Sequence, residues 1–252
     1  MMNIRTPVNL PPWVLERIIA RCAEAMVRHA DELTQLDQAI GDGDHGANMI
    51  RGFGAIAEIA DDLKSHPLGA ALHEAGTTLV MKVGGASGPL FGSLLISMGK
   101  AAPAGPVTKA DVASMLRSGV KAVMTRGKSQ YGEKTMLDVL VPVLDSLQSA
   151  SGSPNGPQPP GSQSNGPHIN GHSHSASSYI ERARHAADRG ARATVEMQAL
   201  KGRASFLGER SVGHMDPGAR SSALLVHAIC DVLEETSANQ PPVAHTDGAE
   251  HG

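Results

Sequence analysis

The sequence predicts an all-α fold, on three observations. Aromatic residues make up only 2 % of the chain, and strands favour aromatic and β-branched side chains. The core must instead come from Leu, Ile, Val, Met and many Ala, of which Ala, Leu and Met are strong helix formers. Apolar residues recur with helical spacing in one segment after another, and no stretch alternates convincingly with the period of a strand.

The elements follow in order. The first helix is expected from about Trp13 to Leu33, with Val14, Ile18, Cys22, Ala25 and Met26 along one stripe. A second runs from Ala47 to Leu63, and a third from Leu68 to Met81. A fourth follows GGASGP, from Leu90 to Ala101. The fifth starts at Thr108, whose spacing to Asp111 in TKAD resembles a capping box, and ends near Arg126-Gly127. The sixth is Lys134 to Ser149, with a tolerated kink at Pro142. The seventh, Tyr179 to Leu200, is rich in Ala and Arg, and the eighth runs from Ala219 to Glu235. That gives about eight helices with mostly short connections.

One segment stands apart. Residues 151–177, SGSPNGPQPPGSQSNGPHINGHSHSAS, carry almost nothing to bury and read as a disordered insertion. Its His168, His172 and His174 have no carboxylate or cysteine beside them, so a solvated tract is favoured over a metal site. The tail 237–252 has the same character.

With 252 residues the chain is long enough for a sizeable core. Net charge is −3 and aromatics are scarce, so neither electrostatics nor base stacking favours a nucleic acid partner. Cys22 and Cys230 are too few for a disulfide scaffold and read as small buried apolar residues. No run reaches membrane-spanning length and MMNIRTPVNLPPW lacks an apolar signal core, so the expected location is cytoplasmic, with no membrane partner.

The chemistry is expected in the loops between helices. LDQAIGDGDHGAN crowds Asp37, Asp42 and Asp44 together, with glycines that let the backbone turn sharply. Three convergent carboxylates offer hard oxygen ligands, suited to Mg²⁺ or Ca²⁺ rather than zinc. An EF-hand would need Glu at the twelfth loop position, which is Asn48 counted from Asp37 and Phe53 counted from Asp42. A Mg²⁺ site with positions left for phosphate oxygens fits better, with a solvated acidic turn as the bland alternative.

The second loop is GGASG, Gly84 to Gly88, where small residues ahead of a helix let backbone N–H groups approach an anion. Alone the signal is weak and a tight turn between packed helices is favoured, since neither a Walker loop nor a Rossmann fingerprint is present. A third block holds Arg203, Arg210, His214 and Asp216, followed by Pro217-Gly218. Metal ligands, backbone donors and Arg together are the parts that phosphoryl transfer needs.

Four blocks, LDQAIGDGDHGANMIRGF, VGGASGPLFGSLL, GEKTMLDVLVPV and KGRASFLGERSVGHMDPGARSS, together resemble the L subunit of dihydroxyacetone kinase, its ADP/ATP-binding half. The resemblance covers about residues 10–236, outside the insertion. It implies a barrel of about eight antiparallel helices with a nucleotide site at one end. It implies two Mg²⁺ ions on Asp37, Asp42 and Asp44, which would offset the repulsion among those acids. His45, Gly46, Ala47 and Asn48 would contact nucleotide, and Ala86 and Ser87 would bind phosphate. Gly127 and Met136 would line the adenine side, with plain packing an equal reading for Met136. Arg203, Asp216, Pro217 and Gly218 would close the pocket, and Arg203 would spread the charge of the transferring phosphoryl group; no residue stands out as a general base.

The implied partner is a K subunit that holds dihydroxyacetone or a related ketose. In one branch of the family the L subunit keeps ADP, recharged by a phosphohistidine phosphotransferase-system subunit; in another, ATP exchanges. Some relatives instead bind a transcription activator in their ADP state, an alternative regulatory role that would use the same pocket. The chain departs from the family in its insertion and in Phe206, where Tyr is common, and neither touches the metal motif.

Overall fold

The computed structural model describes residues 11–148 and 176–238. The tail from residue 239 onward and nearly all of the expected insertion, residues 151–175, lie outside the described residues. Among the described residues the chain is helical, with no strand.

Ten α-helices occur in chain order among the described residues: α1 Pro12–Arg28, α2 Ala30–Ile40, α3 His45–Glu58, α4 Ala60–Leu63, α5 Leu68–Lys82, α6 Ser87–Lys100, α7 Lys109–Gly127, α8 Leu137–Gln148, α9 Ala176–Ala193 and α10 Pro217–Ala238. A 3₁₀ segment spans Arg203–Ser211. Each expected helix has a counterpart, but two are divided. The span predicted from Trp13 to Leu33 breaks at His29, whose backbone leaves helical geometry at φ −107°, ψ 14°, and the chain resumes as α2. Ile59 breaks the second span in the same way, at φ −106°, ψ 11°. α9 starts at Ala176, before the expected Tyr179, and stops at Ala193, short of Leu200.

Local chemistry explains several ends. Pro12 opens α1, where its missing N–H costs nothing. The capping box before α7 is present: Thr108 Oγ1 accepts from Asp111 N–H at 3.2 Å, and the Asp111 carboxylate accepts from Thr108 N–H at 2.8 Å. In α8, Pro142 cannot donate to the Asp138 carbonyl one turn back. Gly190 of α9 packs directly over that carbonyl, leaving no room there for a Cβ.

The helices pack in a cyclic order. α1 lies against α3, α3 against α5, then α5 against α6, α6 against α7, α7 against α8, α8 against α9, α9 against α10, and α10 against α1. One apolar core runs through them, built from residues such as Met26, Leu33, Met49, Leu79, Val123, Leu137, Val139, Ala187 and Ala223. Phe53 and Phe91 supply an edge-to-face aromatic pair, with ring centroids 6.4 Å apart. The α5–α6 seam is a backbone-to-backbone contact through Gly69, Gly76, Gly92 and Gly99. A Cβ on Gly76 would stand 2.7 Å from the Gly92 carbonyl oxygen. Cys22 in α1 and Cys230 in α10 are free and buried, and burial pushes their thiols up to about 12 and about 11. No described helix is long and apolar enough to cross a membrane.

Candidate functional site

The acidic loop joins α2 to α3. Asp37 sits in the last turn of α2 and is 9 % exposed; Asp42 and Asp44 are exposed. Gly43 between them takes φ +78°, a left-handed conformation that L side chains resist. The turn brings one carboxylate oxygen of each Asp within 4.8 Å of the others. The expected trio is therefore one cluster. Arg203, the first residue of the 3₁₀ segment, forms an ion pair with Asp42, so the block most distant in sequence also reaches the cluster.

His45 opens α3 and ties the site together. Its backbone N–H donates to Asp37 Oδ2 at 3.1 Å. Its ring Nδ1 lies 3.1 Å from Ser87 Oγ, and its Nε2 lies 3.0 Å from Ser221 Oγ. Ser221 Oγ donates to the Gly218 carbonyl at 3.1 Å, which leaves it to accept from Nε2–H. Nδ1 then accepts from the Ser87 hydroxyl. This is neutral imidazole with its proton on Nε2, in keeping with burial that lowers the His45 pKa against the opposing pull of Asp37 and Asp44.

Ser87 begins α6 and Ser221 lies in the second turn of α10, so His45 gathers the N-terminal ends of α3, α6 and α10 around one point. Those ends carry positive partial charge and unpaired N–H groups. Most of the other expected residues fall on the same ends; Gly127 and Met136 do not. Gly46 and Asn48 are buried in the first turn of α3, while Ala47 is exposed there. Asn48 Oδ1 accepts from Arg51 at 2.6 Å, and Gly84 lies beside it, where a Cβ would be 3.3 Å from Asn48 Oδ1. Gly84, Gly85 and Ala86 are exposed, and Gly85 takes φ +64°, so the backbone ahead of α6 is open to a ligand. Gly127 closes α7 against Leu90 of α6.

Asp216 caps α10: its Oδ2 accepts from Ala219 N–H at 2.7 Å. Burial pushes its carboxyl up to about 7, the Ala219 bond opposes that, and Asp138 adds to it. Pro217 and Gly218 form the first turn of α10, with Gly218 facing Met136. Met136 is 4 % exposed and packs in the apolar core beside Gly218.

Sequence reasoning missed three supporting residues. Ser221 lay within a quoted block, but a serine at a helix start carries no signal of its own. Asp138, fully buried, accepts N–H bonds from Gly132 at 2.6 Å and Thr135 at 2.7 Å and shapes the loop ahead of α8. Lys134, 1 % exposed, is the largest fully buried side chain among the described residues.

The profile of the DAK2 domain matches residues 39–158 and 167–231, well over half of the chain. The chain belongs to the DAK2 domain family. This DAK2 chain is 38 % identical, over 86 % of its length and 95 % of the relative's, to the ADP-binding subunit DhaL of the PEP-dependent dihydroxyacetone kinase of Escherichia coli K12. It is 36 % identical, over 80 % of its length and 87 % of the relative's, to the ADP-binding subunit DhaL of the PTS-dependent dihydroxyacetone kinase of Lactococcus lactis. Among solved structures it resembles the dihydroxyacetone kinase of C. freundii in complex with AMP-PNP and Mg²⁺, with a TM-score of 0.62 at 20 % identity. That match covers 92 % of the DAK2 chain and 36 % of the longer kinase, and at this identity it speaks for the fold alone.

Proposed function

We propose that this DAK2 chain is the nucleotide-binding subunit of a kinase that phosphorylates dihydroxyacetone or a related short ketose. The observation that carries the reading is the convergence of Asp37, Asp42 and Asp44 with Arg203 and the N-terminal ends of α3, α6 and α10. Acids, a guanidinium and helix N-termini in one place suit a metal–polyphosphate ligand and little else. The names of the E. coli and Lactococcus relatives support the same activity.

The donor set fits Mg²⁺, being all carboxylate oxygen with no soft ligand among them. Asp37, Asp42 and Asp44 would hold two Mg²⁺ ions, whose charge would offset that of the transferring phosphoryl group. The chain's own residues do the rest. His45, Gly46, Ala47 and Asn48 contact the nucleotide, and Ala86 and Ser87 bind phosphate. Gly127 and Met136 line the adenine side, and Asp216, Pro217 and Gly218 close the pocket. Arg203, paired with Asp42 in this structure, would face the phosphoryl oxygens and add charge stabilisation where charge develops. Neutral His45 holds three helix ends in register and takes no proton.

The ketose would be held by a K-type partner subunit, with the phosphoryl group supplied from ATP or from ADP recharged by a phosphohistidine protein. The cyclic helix packing supports a barrel with the site at one end, in a domain of about residues 10–236, working in the cytoplasm.

The test is calorimetric titration of Mg·ADP and Mg·ATP into wild type and Asp42→Asn, with EDTA controls. The expected result is metal-dependent binding in wild type, at least about tenfold weaker in the variant, with helical circular dichroism unchanged. Wild-type affinity in Asp42→Asn, or binding indifferent to EDTA, would overturn the metal assignment. Chromatography of nucleotide released from denatured protein separates a resident ADP from an exchanging ATP.

A further inference from the structure

Lysine is among the residues least often fully buried, yet Lys134 is 1 % exposed and lies in a left-handed backbone conformation, φ +61°. Its ammonium donates to three carbonyl oxygens: Thr194 at 2.6 Å, Met197 at 3.0 Å and His214 at 2.5 Å. An ammonium has three donors and no acceptor, so this set saturates it. Burial pulls the Lys134 pKa down, and the carboxylates of Asp216 and Glu196 pull it back. Three acceptors are satisfied in full only by the protonated form.

The three carbonyls are not neighbours in sequence. Thr194 and Met197 follow the end of α9, and His214 lies two residues ahead of the α10 cap. Between them runs the loop that carries Arg203. Its two strands also meet through Gly213 N–H to the Val195 carbonyl at 2.8 Å, Asp216 N–H to Thr194 Oγ1 at 3.0 Å, and Ala199 N–H to Ser211 Oγ at 2.9 Å. Lys134 enters this neck from outside the loop, next to the Glu133 carbonyl, which accepts from Leu200 N–H at 3.3 Å.

We infer that Lys134 is a positioning residue: its ammonium cinches the neck of the loop from Thr194 to Asp216 and so sets where Arg203 stands against Asp37, Asp42 and Asp44. It acts through Arg203 and does not touch the ligand. The inference rests on the proposed role of Arg203, but the cinch itself is a statement about the loop.

The test compares Lys134→Met, of similar length without donors, and Lys134→Gln, which keeps an amide donor, with wild type. Each is made alone and in an Arg203→Ala background, and the readouts are Mg·ADP affinity and hydrogen exchange by peptide. Lys134→Met is expected to weaken Mg·ADP binding about tenfold in the native background and less than about twofold with Arg203→Ala, because two residues acting through one contact are not additive. Amide exchange is expected to rise in residues 198–213 and to stay unchanged in α1 and α5. Lys134→Gln is expected to fall between, and it supplies the same readings if Lys134→Met does not fold. Equal losses in both backgrounds, or exchange rising throughout the chain, would overturn positioning in favour of a general structural role. Unchanged exchange in the loop overturns the cinch. A wild-type chain that does not bind Mg·ADP, together with a loop that still loosens in Lys134→Met, would sink the proposed function and leave the cinch standing.

Discussion

Asp216 is a carboxyl whose surroundings oppose its charge. Burial lifts its pKa from 3.8 to about 7, with Asp138 and Asp37 adding to the rise. Between those values the unfolded chain has released the proton and the folded chain still holds it. Stability therefore falls as pH rises from about 4 to about 7, and the penalty is fully present above the folded pKa. The expected outcome, in EDTA and without nucleotide, is that denaturant midpoints of wild type drop between pH 5 and pH 8 relative to Asp216→Asn. The Asn side chain keeps an acceptor for Ala219 N–H and removes the titration, so parallel profiles for the two proteins would contradict the assignment.

The same scale shows what a single sequence reveals. Asp37, Asp42 and Asp44 were legible because like charges so close together need a reason, and spacing alone displays them. Lys134 was not legible. A lysine at the expected start of the sixth helix shows no sign of burial, and only the fold brings it to carbonyls roughly sixty and eighty positions away. Ser221 was hidden for a related cause: its partner is His45, 176 positions distant.

Among elements, caps were easier to read than breaks. Thr108 and Asp111 are three residues apart and their bonds are local, so the start of α7 followed from the sequence. The breaks at His29 and Ile59 have no Gly or Pro to announce them, and the apolar stripe runs on through both; neighbouring helices decide the change of direction. The α5–α6 seam offers a sharper test. A Cβ at Gly76 would stand 2.7 Å from the Gly92 carbonyl oxygen and 2.8 Å from Ile96 Cγ1, so the two backbones must part. Gly76→Ala is expected to cost about 1–3 kcal/mol despite the gain in helix propensity. Gly54, in the middle of α3, has nothing within 4 Å of its would-be Cβ, and Gly54→Ala is expected to stabilise by about 0.5–1 kcal/mol. Thermal denaturation of the two variants reads both signs, and stabilisation by Gly76→Ala would mean that the seam is looser than described.

For the whole molecule, composition and periodicity were enough to give an all-helical chain, because few residues suited to strands were available. The cyclic packing order was not readable from periodicity, since a stripe shows that a face is covered but not by which helix. The site inherits this arrangement: α3, α6 and α10 are far apart in the chain, and their N-terminal ends meet with α10 packed against both α1 and α2.

The two helices that close the ring each carry a cysteine, Cys22 in α1 and Cys230 in α10, each shielded from solvent with its thiol well above neutrality. A maleimide or disulfide reagent meets neither sulfur while the ring stays shut. Labelling should therefore proceed at the speed with which the chain opens, and the two thiols together become a clock for that event, needing no engineered probe. Saturating Mg·ADP, if it binds the closed form, is expected to slow the clock. Fast labelling of one thiol alone would show that its helix leaves the ring before the rest.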